Sequence, residues 1–144
     1  MTIDLETHFA ASGDAAGDTW TSIENLDGSR GADSFTGDAG DNYINGGAGA
    51  DALDGGGGFD GVLYYNSPGA VTVNLTADTA TGGDATGDTL SNFDGVFGSP
   101  FDDVLTGTSG PNSLYGGYGG NDRLRGLGGA DTLVGDLGND ILLP

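Results

Sequence analysis

The chain of 144 residues is dominated by glycine and acidic side chains: it has 31 Gly and 22 Asp or Glu but only three Arg, giving a net charge of −19. Without Lys it can hold no lysine base, Schiff base or Walker-type phosphate loop, and three Arg are too few to neutralise a nucleic acid backbone. The absence of Cys excludes disulfides and thiolate metal sites, and no apolar run approaches the roughly 20 residues of a membrane span. We therefore expect neither a nucleic acid partner nor a membrane span.

A repeat of 70 residues divides the chain into two modules. The segment TIDL (2–5) recurs as TVNL (72–75), with the same spacing throughout the entry segments. Because AVTVNL (70–75) alternates apolar and polar residues, it predicts a strand with one buried face. The predicted modules are residues 1–70, with an entry segment 1–27, nonapeptides 28–63 and a connector 64–70, and residues 71–144, with an entry segment 71–97 and nonapeptides 98–143.

The nonapeptides follow a frame in which Gly is first, Asp or Asn is sixth and an apolar residue is eighth. The first six residues favour a turn, and the last three predict a short strand with one inward side chain. Two units then form one coil. Stacked coils predict an all-β fold, a parallel β-roll or β-helix solenoid with a thin aliphatic core. The predicted inward residues are Phe35, Ile44, Leu53, Val62, Leu105, Leu114, Leu124, Leu133 and Leu142.

The segments that lead into the nonapeptides, TWTSIENLD (19–27) and TLSNFDGVF (89–97), keep the same frame without its turn glycines. Glu24 and Asp94 take the sixth place in these segments. We expect both segments to form entry coils, with Trp20 covering the first coil.

A stack of such coils without ions is expected to be marginal or unfolded. One buried aliphatic side chain per nine residues offsets only part of the conformational entropy lost on folding, and sixth-place carboxylates in successive coils repel one another. We therefore expect a bound cation. An all-oxygen set of carboxylates and turn carbonyls favours Ca²⁺, whereas Mg²⁺ demands a tighter octahedral geometry. His8 is the single histidine and the chain has no cysteine, so it lacks the nitrogen and sulfur ligands that zinc, copper and iron sites usually need.

The calcium ions are expected to lie between a unit and the second unit after it, because successive units alternate between the two edges of a coil. Asn42 and Asn112 are neutral ligands, so the sites that use them should be weaker. The extra residue Gly116 is expected to bulge one turn and to blur the pairing across it, and Pro100 disfavours a carbonyl ligand in its turn. The predicted pairs are Asp33/Asp51, Asn42/Asp60, Asp103/Asp122, Asn112/Asp131 and Asp122/Asp140.

Two units carry a family resemblance. GGAGADALD (46–54) and GGGGFDGVL (55–63) fit G-G-x-G-x-D-x-apolar-x in every column, which resembles the RTX, or hemolysin-type, calcium-binding repeat. The resemblance implies calcium binding through the sixth-place Asp and backbone carbonyls. It also implies type I secretion machinery as a partner, and folding in extracellular calcium as a structural or spacer element of a secreted or cell-surface bacterial protein. The turn glycines that it implies as metal ligands are Gly31, Gly47, Gly49, Gly56, Gly58, Gly120, Gly129 and Gly138.

Two other functions remain open from the sequence. The chain could be an adhesive or polysaccharide-binding segment that contacts extracellular glycans or neighbouring repeat modules, or the accessory domain of a larger secreted enzyme. No catalytic constellation is evident, so we expect no enzyme activity in this chain. The tyrosines are not periodic, which favours packing at the edge of the core over sugar stacking. They are Tyr43, Tyr64, Tyr65, Tyr115 and Tyr118.

Overall fold

The computed structural model describes residues 1–144 as a stack of short strands joined by tight turns. Its helices are two single-turn 3-10 segments, Gly13–Ala15 and Gly83–Ala85, and neither has the length or the apolar character needed to cross a membrane. The strands are β1 (Thr2–Asp4), β2 (Phe9–Ser12), β3 (Asn25–Ser29), β4 (Ser34–Thr36), β5 (Tyr43–Gly47), β6 (Ala52–Asp54), β7 (Gly61–Leu63), β8 (Thr72–Asn74), β9 (Thr79–Thr81), β10 (Thr89–Ser91), β11 (Gly95–Phe97), β12 (Val104–Thr106), β13 (Ser113–Tyr115), β14 (Arg123–Arg125), β15 (Thr132–Val134) and β16 (Ile141–Leu143).

The strands form two sheets that face each other across the core. The six-strand sheet has the order β15-β13-β11-β7-β5-β3, and every neighbouring pair in it is parallel. The ten-strand sheet has the order β16-β14-β12-β8-β9-β10-β6-β4-β1-β2. Successive nonapeptides alternate between the sheets, so units two apart pair in register, as Ile44 does with Val62. The predicted all-β, parallel β-roll architecture is confirmed.

Within the nonapeptide coils, the core is a single layer of the eighth-place side chains between the two sheets, and buried residues of the hairpins and entry segments extend it. Phe35, Ile44, Val62, Leu105 and Leu114 are each at most 1% exposed. Because seventh and ninth residues point to the opposite face of a three-residue strand, only one side chain per unit enters the core. This is why the frame tolerates polar and glycine residues in its other columns.

The stack continues across the boundary between the predicted modules. Strand β7 of the first module pairs with β11 of the second in parallel, aligning Val62 with Val96, and β6 pairs with β10, aligning Leu53 with Leu90. Both sheets therefore run through residues of both modules, and the last coil of the first module is covered by the entry coil of the second.

Each module also begins with an antiparallel hairpin that the nine-residue frame did not predict. Strands β1 and β2 form the first hairpin, and β8 and β9 form its 70-residue equivalent. The second hairpin lies between β10 and β12, which adds strands to the ten-strand sheet alone. The predicted strand at 70–75 is present as β8, with Val71, Val73 and Leu75 buried.

The two entry segments differ in structure despite their similar sequences. Residues 89–97 form β10 and β11, whereas 19–27 contributes only the start of β3. Trp20 is half-buried and packs against the core, as expected for a residue that covers the first coil.

Candidate metal centre

The sixth-place side chains form two ladders, one along each edge of the stack. The first-edge ladder consists of the residues immediately before strands of the ten-strand sheet, and the second-edge ladder of those before strands of the six-strand sheet. In the first module the first-edge ladder contains Asp33 and Asp51, and in the second it contains Asp103, Asp122 and Asp140. The second-edge ladder contains Asn42, Asp60, Asp94, Asn112 and Asp131.

Within each ladder, a backbone N–H of one coil donates to a carboxylate of the next. The N–H of Asp33 donates to Oδ1 of Asp51 at 2.8 Å, and the N–H of Asn42 donates to Oδ1 of Asp60 at 2.7 Å. The same contact joins the three pairs predicted in the second module. Their distances are 2.8 Å for Asp103 to Asp122, 3.0 Å for Asn112 to Asp131 and 2.9 Å for Asp122 to Asp140.

The extra residue Gly116 does not blur the pairing across it, contrary to the expectation from the sequence. Asp103 and Asp122 are 19 residues apart rather than 18, yet their contact of 2.8 Å equals that of Asp33 with Asp51. In the structure Gly116 takes the first place of this unit, because a Cβ on it would overlap Oδ2 of Asp122, so the additional residue lies within the turn that follows, where Gly117 is second and adopts a left-handed φ of 113°. Glycine adopts this conformation without steric cost, so the ladder keeps its register.

Two ladder members were absent from the set of candidate ligands, and both lie in the entry coil of the second module. The N–H of Asp51 donates to Oδ1 of Asp88 at 2.9 Å, and the N–H of Asp60 reaches Oδ2 of Asp94 at 3.4 Å. Asp88 also accepts a 2.9 Å hydrogen bond from the buried hydroxyl of Tyr64. The sequence D-T-L-S (88–91) repeats the last four places of the frame, which is the signal that identifies Asp88 without the turn glycines.

The first-place glycines are required because the sixth-place side chain folds back over its own turn. A Cβ on Gly46 would overlap Oδ2 of Asp51, and a Cβ on Gly37 would overlap Oδ1 of Asn42. Of the turn glycines implied as ligands, all but Gly31 have a positive φ. Gly58 illustrates their packing: an added Cβ would lie 2.6 Å from the carbonyl oxygen of Gly40 in the preceding coil. Turn carbonyls and carboxylates are thus packed together along each edge.

Three of the buried carboxylates have an oxygen without a hydrogen-bond partner. These atoms are Oδ2 of Asp51, Asp60 and Asp122, and each of the three residues is only 1% exposed. Burial, together with neighbouring carboxylates such as that of Asp103 beside Asp122, raises the pKa of Asp60 and of Asp122 to about 6. Unpaired buried charges of this kind are costly unless a cation or a proton neutralises them.

The chemistry of these donors fits Ca²⁺. They are carboxylate and carbonyl oxygens, the hard ligands that Ca²⁺ prefers, and no three His or acidic side chains converge on one point. A bound ion would therefore take one or two carboxylates from a ladder and its remaining ligands from turn carbonyls or water. That mixture suits the flexible coordination of Ca²⁺ better than the strict octahedron of Mg²⁺.

Comparison with known proteins agrees with this geometry. The family model for the RTX calcium-binding nonapeptide repeat matches the chain in four copies, over residues 27–62, 97–119 and 117–142. These stretches cover more than half of the chain and contain at least eight of the nine residues of every nonapeptide. The search of curated proteins found no match to the chain. The chain therefore belongs to the RTX calcium-binding nonapeptide repeat family.

Proposed function

We propose that this chain is a calcium-triggered folding module that acts as a rigid spacer in a secreted or cell-surface protein. The observation that carries the proposal is the set of unpartnered, buried Oδ2 atoms of Asp51, Asp60 and Asp122. They lie within ladders of like charge, in a chain with a net charge of −19. A divalent cation removes both penalties at once, because it neutralises the repulsion and supplies a partner for the buried oxygens.

The same acidic residues account for an expanded chain in the absence of calcium. With no Lys and three Arg, the chain has almost no cations of its own to oppose 22 acidic residues. Self-repulsion keeps such a chain expanded and soluble. Millimolar calcium outside the cell would fold it, whereas the low calcium of the cytosol would leave it extended. An extended chain suits export through a type I secretion channel, which the family resemblance implies. We assign the chain no catalytic role.

Circular dichroism in EDTA and in millimolar CaCl₂, with MgCl₂ as the competing ion, tests the proposal. We expect β-structure in calcium and largely disordered spectra in EDTA and magnesium. The triple variant D51N/D60N/D122N should need a higher calcium concentration to fold. Its control is D14N/D18N/D78N, which makes the same charge change at exposed positions outside the ladders. A wild-type chain that is equally folded in EDTA and in calcium would contradict the proposal.

A second candidate function, polysaccharide binding, is favoured by an aromatic surface on the outer face of the six-strand sheet. Phe97 and Tyr115 are stacked with ring centroids 4.5 Å apart, and Tyr43 meets Phe97 edge-on at 6.3 Å. Tyr118, which is 74% exposed, lines a cleft of about 210 Å³ beside this pair. Tyr64 is buried in the core and is therefore not part of this aromatic surface. Exposed aromatic rings at a cleft are suited to stacking on the apolar faces of sugars.

Binding to insoluble neutral polysaccharides, such as cellulose and chitin, tests the second candidate in the presence of calcium. We expect retention of the wild-type chain and its loss in Tyr118→Ala. Phe9→Ala, at a 57%-exposed aromatic residue in another part of the fold, is the matched control. Equal recovery of all three proteins in the unbound fraction would exclude this function for these polysaccharides.

A further inference from the structure

The turns of the nonapeptides have two different conformations, distinguished by the second residue of each unit. In closed turns the second-place N–H donates to the sixth-place side chain of the same turn. The four closed turns have Ser29, Asp38, Ser99 and Thr108 in second place, donating to Asp33, Asn42, Asp103 and Asn112. In open turns the second residue has a left-handed φ, and its N–H makes no such contact. The five open turns have Gly47, Gly56, Gly117, Leu127 and Asp136 in second place.

Closed turns are held by a second hydrogen bond that only an oxygen-bearing side chain provides. The second-place side chain accepts from the fourth-place N–H: Oγ of Ser29 from Gly31 at 3.2 Å, and Oγ1 of Thr108 from Gly110 at 3.1 Å. Asp38 and Ser99 make the same contact in their own turns. The side chain thus fixes the backbone so that the second-place N–H points at the sixth residue.

The buried carboxylate oxygens that lack a hydrogen-bond partner are found in open turns and not in closed turns. Oδ2 of Asp51, Asp60 and Asp122 is orphaned, and all three residues lie in open turns with Gly in second place. In the closed turns of Asp33 and Asp103, Oδ2 accepts the second-place N–H instead. Both neutral members of the nonapeptide ladders, Asn42 and Asn112, also lie in closed turns. The side chains that have no charge to neutralise are therefore found only in turns that already satisfy the sixth-place oxygen.

We propose that the conformation of the second residue of each nonapeptide decides whether its turn accepts calcium. A left-handed second residue leaves a carboxylate oxygen of the sixth residue free for the ion, whereas a second residue that is not left-handed occupies a sixth-place oxygen with its N–H. Calcium loading is then confined to the five open turns, whose sixth residues are Asp51, Asp60, Asp122, Asp131 and Asp140. The closed turns are the first two nonapeptides of each module, so each module starts with two turns whose sixth-place oxygens all have hydrogen-bond partners without an ion. The inference rests on the proposed calcium-dependent folding.

Substitutions at Leu127 provide a matched test, because this exposed second-place residue is left-handed without being glycine, with φ of 80°. Leu127→Thr introduces a β-branched residue that disfavours positive φ and a hydroxyl like that of Thr108, so it should close the turn of Asp131. Leu127→Gly removes the same side chain but favours the left-handed conformation. We expect Leu127→Thr to bind one calcium ion fewer per chain than wild type by isothermal titration calorimetry and equilibrium dialysis. We expect Leu127→Gly to bind the wild-type number.

Amide hydrogen exchange of the calcium-loaded proteins provides a readout that does not depend on ion counting. The residue-127 N–H should be protected in Leu127→Thr, where it donates to Asp131, and should exchange faster in Leu127→Gly. If Leu127→Thr fails to fold, the converse pair Ser99→Gly and Ser99→Thr replaces it. Ser99→Gly should expose the residue-99 N–H and release Oδ2 of Asp103, whereas Ser99→Thr, which keeps a hydroxyl as Thr108 does, should keep that N–H protected.

Equal ion counts and equal protection in the two members of a pair would overturn the inference. A wild-type chain that binds no calcium would instead overturn the proposed function. Calcium binding by wild type together with identical behaviour of Leu127→Thr and Leu127→Gly separates the two failures.

Discussion

The backbone N–H of Asp51 donates a 2.9 Å hydrogen bond to Oδ1 of Asp88, which lies 37 residues further along the chain. This contact continues the first-edge ladder from the first module to the entry coil of the second. Oδ2 of Asp88 accepts from the hydroxyl of Tyr64, whose residue is 3% exposed. One carboxylate thus satisfies two buried donors from the neighbouring module and its connector.

Replacing this carboxylate should weaken the junction between the modules. Asp88→Ala leaves the N–H of Asp51 and the hydroxyl of Tyr64 without an acceptor, and a buried donor left unsatisfied costs about 1–3 kcal/mol. We expect a loss of that order in the free energy of unfolding by urea in saturating calcium. Asp18→Ala is the matched control, since Asp18 is the 70-residue equivalent of Asp88 but is exposed. An exposed substitution of this kind changes stability by about 0.5 kcal/mol or less, so equal effects of the two variants would contradict the assigned role of Asp88.

Two glycines of one turn should respond differently to alanine. A Cβ on Gly55 would overlap the carbonyl oxygen of Asn92 and lie 2.6 Å from Cβ of Asp60, so backbone would have to move. A Cβ on Gly57 would have its nearest neighbour 3.9 Å away, at Cα of Ala39. We expect Gly55→Ala to cost about 3 kcal/mol or more. Gly57→Ala should be neutral or stabilising by up to about 1 kcal/mol, because it restricts the unfolded chain. Calcium-loaded thermal unfolding measures both, and similar melting temperatures would refute the close packing at Gly55.

A third prediction compares two leucines that both occupy the eighth place of the frame. Leu114 is completely buried, whereas Leu142 is 44% exposed. Leu114→Ala should cost about 2–5 kcal/mol, because it leaves a cavity between the sheets. Leu142→Ala removes less buried area and should cost about 1 kcal/mol. Urea unfolding in calcium checks the difference. Comparable losses for both variants would show that the core is not the single layer of inward side chains described above.

The nonapeptide strands and the inward eighth-place side chains could be predicted from the sequence because both depend on a strict nine-residue period. Gly in first place, Asp or Asn in sixth and an apolar residue in eighth fix which side chain of each unit points inward. The two antiparallel hairpins escaped prediction because β2 and β9 lie outside that period. Asp88 escaped for a related reason: its position in the ladder depends on how the β8–β9 hairpin brings the chain back to β10.

Whether a given turn is open or closed also cannot be predicted from the pattern of residue types alone. Leu127 and Asp136 have φ of 80° and 60°. These are left-handed values that residues other than glycine seldom adopt, so the residue types alone do not predict them. Asp38 and Asp136 are the same residue in the same place of the frame, yet one turn is closed and the other open. Residue type in second place therefore narrows the choice of turn conformation but does not decide it.

The pH dependence of the ion-free chain should be the reverse of ordinary acid denaturation. Burial raises the pKa of Asp60, Asp88 and Asp122 to about 6, above the value of about 3.9 of an Asp in an unfolded chain. The folded state therefore binds protons more tightly than the unfolded state over this range. The stabilisation from protonation is complete below about pH 4 and is lost as the pH rises through about 6. In EDTA we expect more β-structure by circular dichroism at pH 5 than at pH 7.5.

The same protons compete with calcium for the carboxylate oxygens, so the calcium concentration needed for folding should rise as the pH falls from 7.5 to 5. The variant D60N/D88N/D122N tests the assignment, because its side chains stay neutral at every pH. The gain of structure on acidification in EDTA should shrink in this variant, whereas the control D14N/D18N/D78N should retain it. Acidification stops at pH 5 to stay clear of the isoelectric point near 4.1, where aggregation would obscure the signal. An ion-free wild-type chain that loses structure between pH 7.5 and 5 would show that carboxylate burial does not oppose its folding.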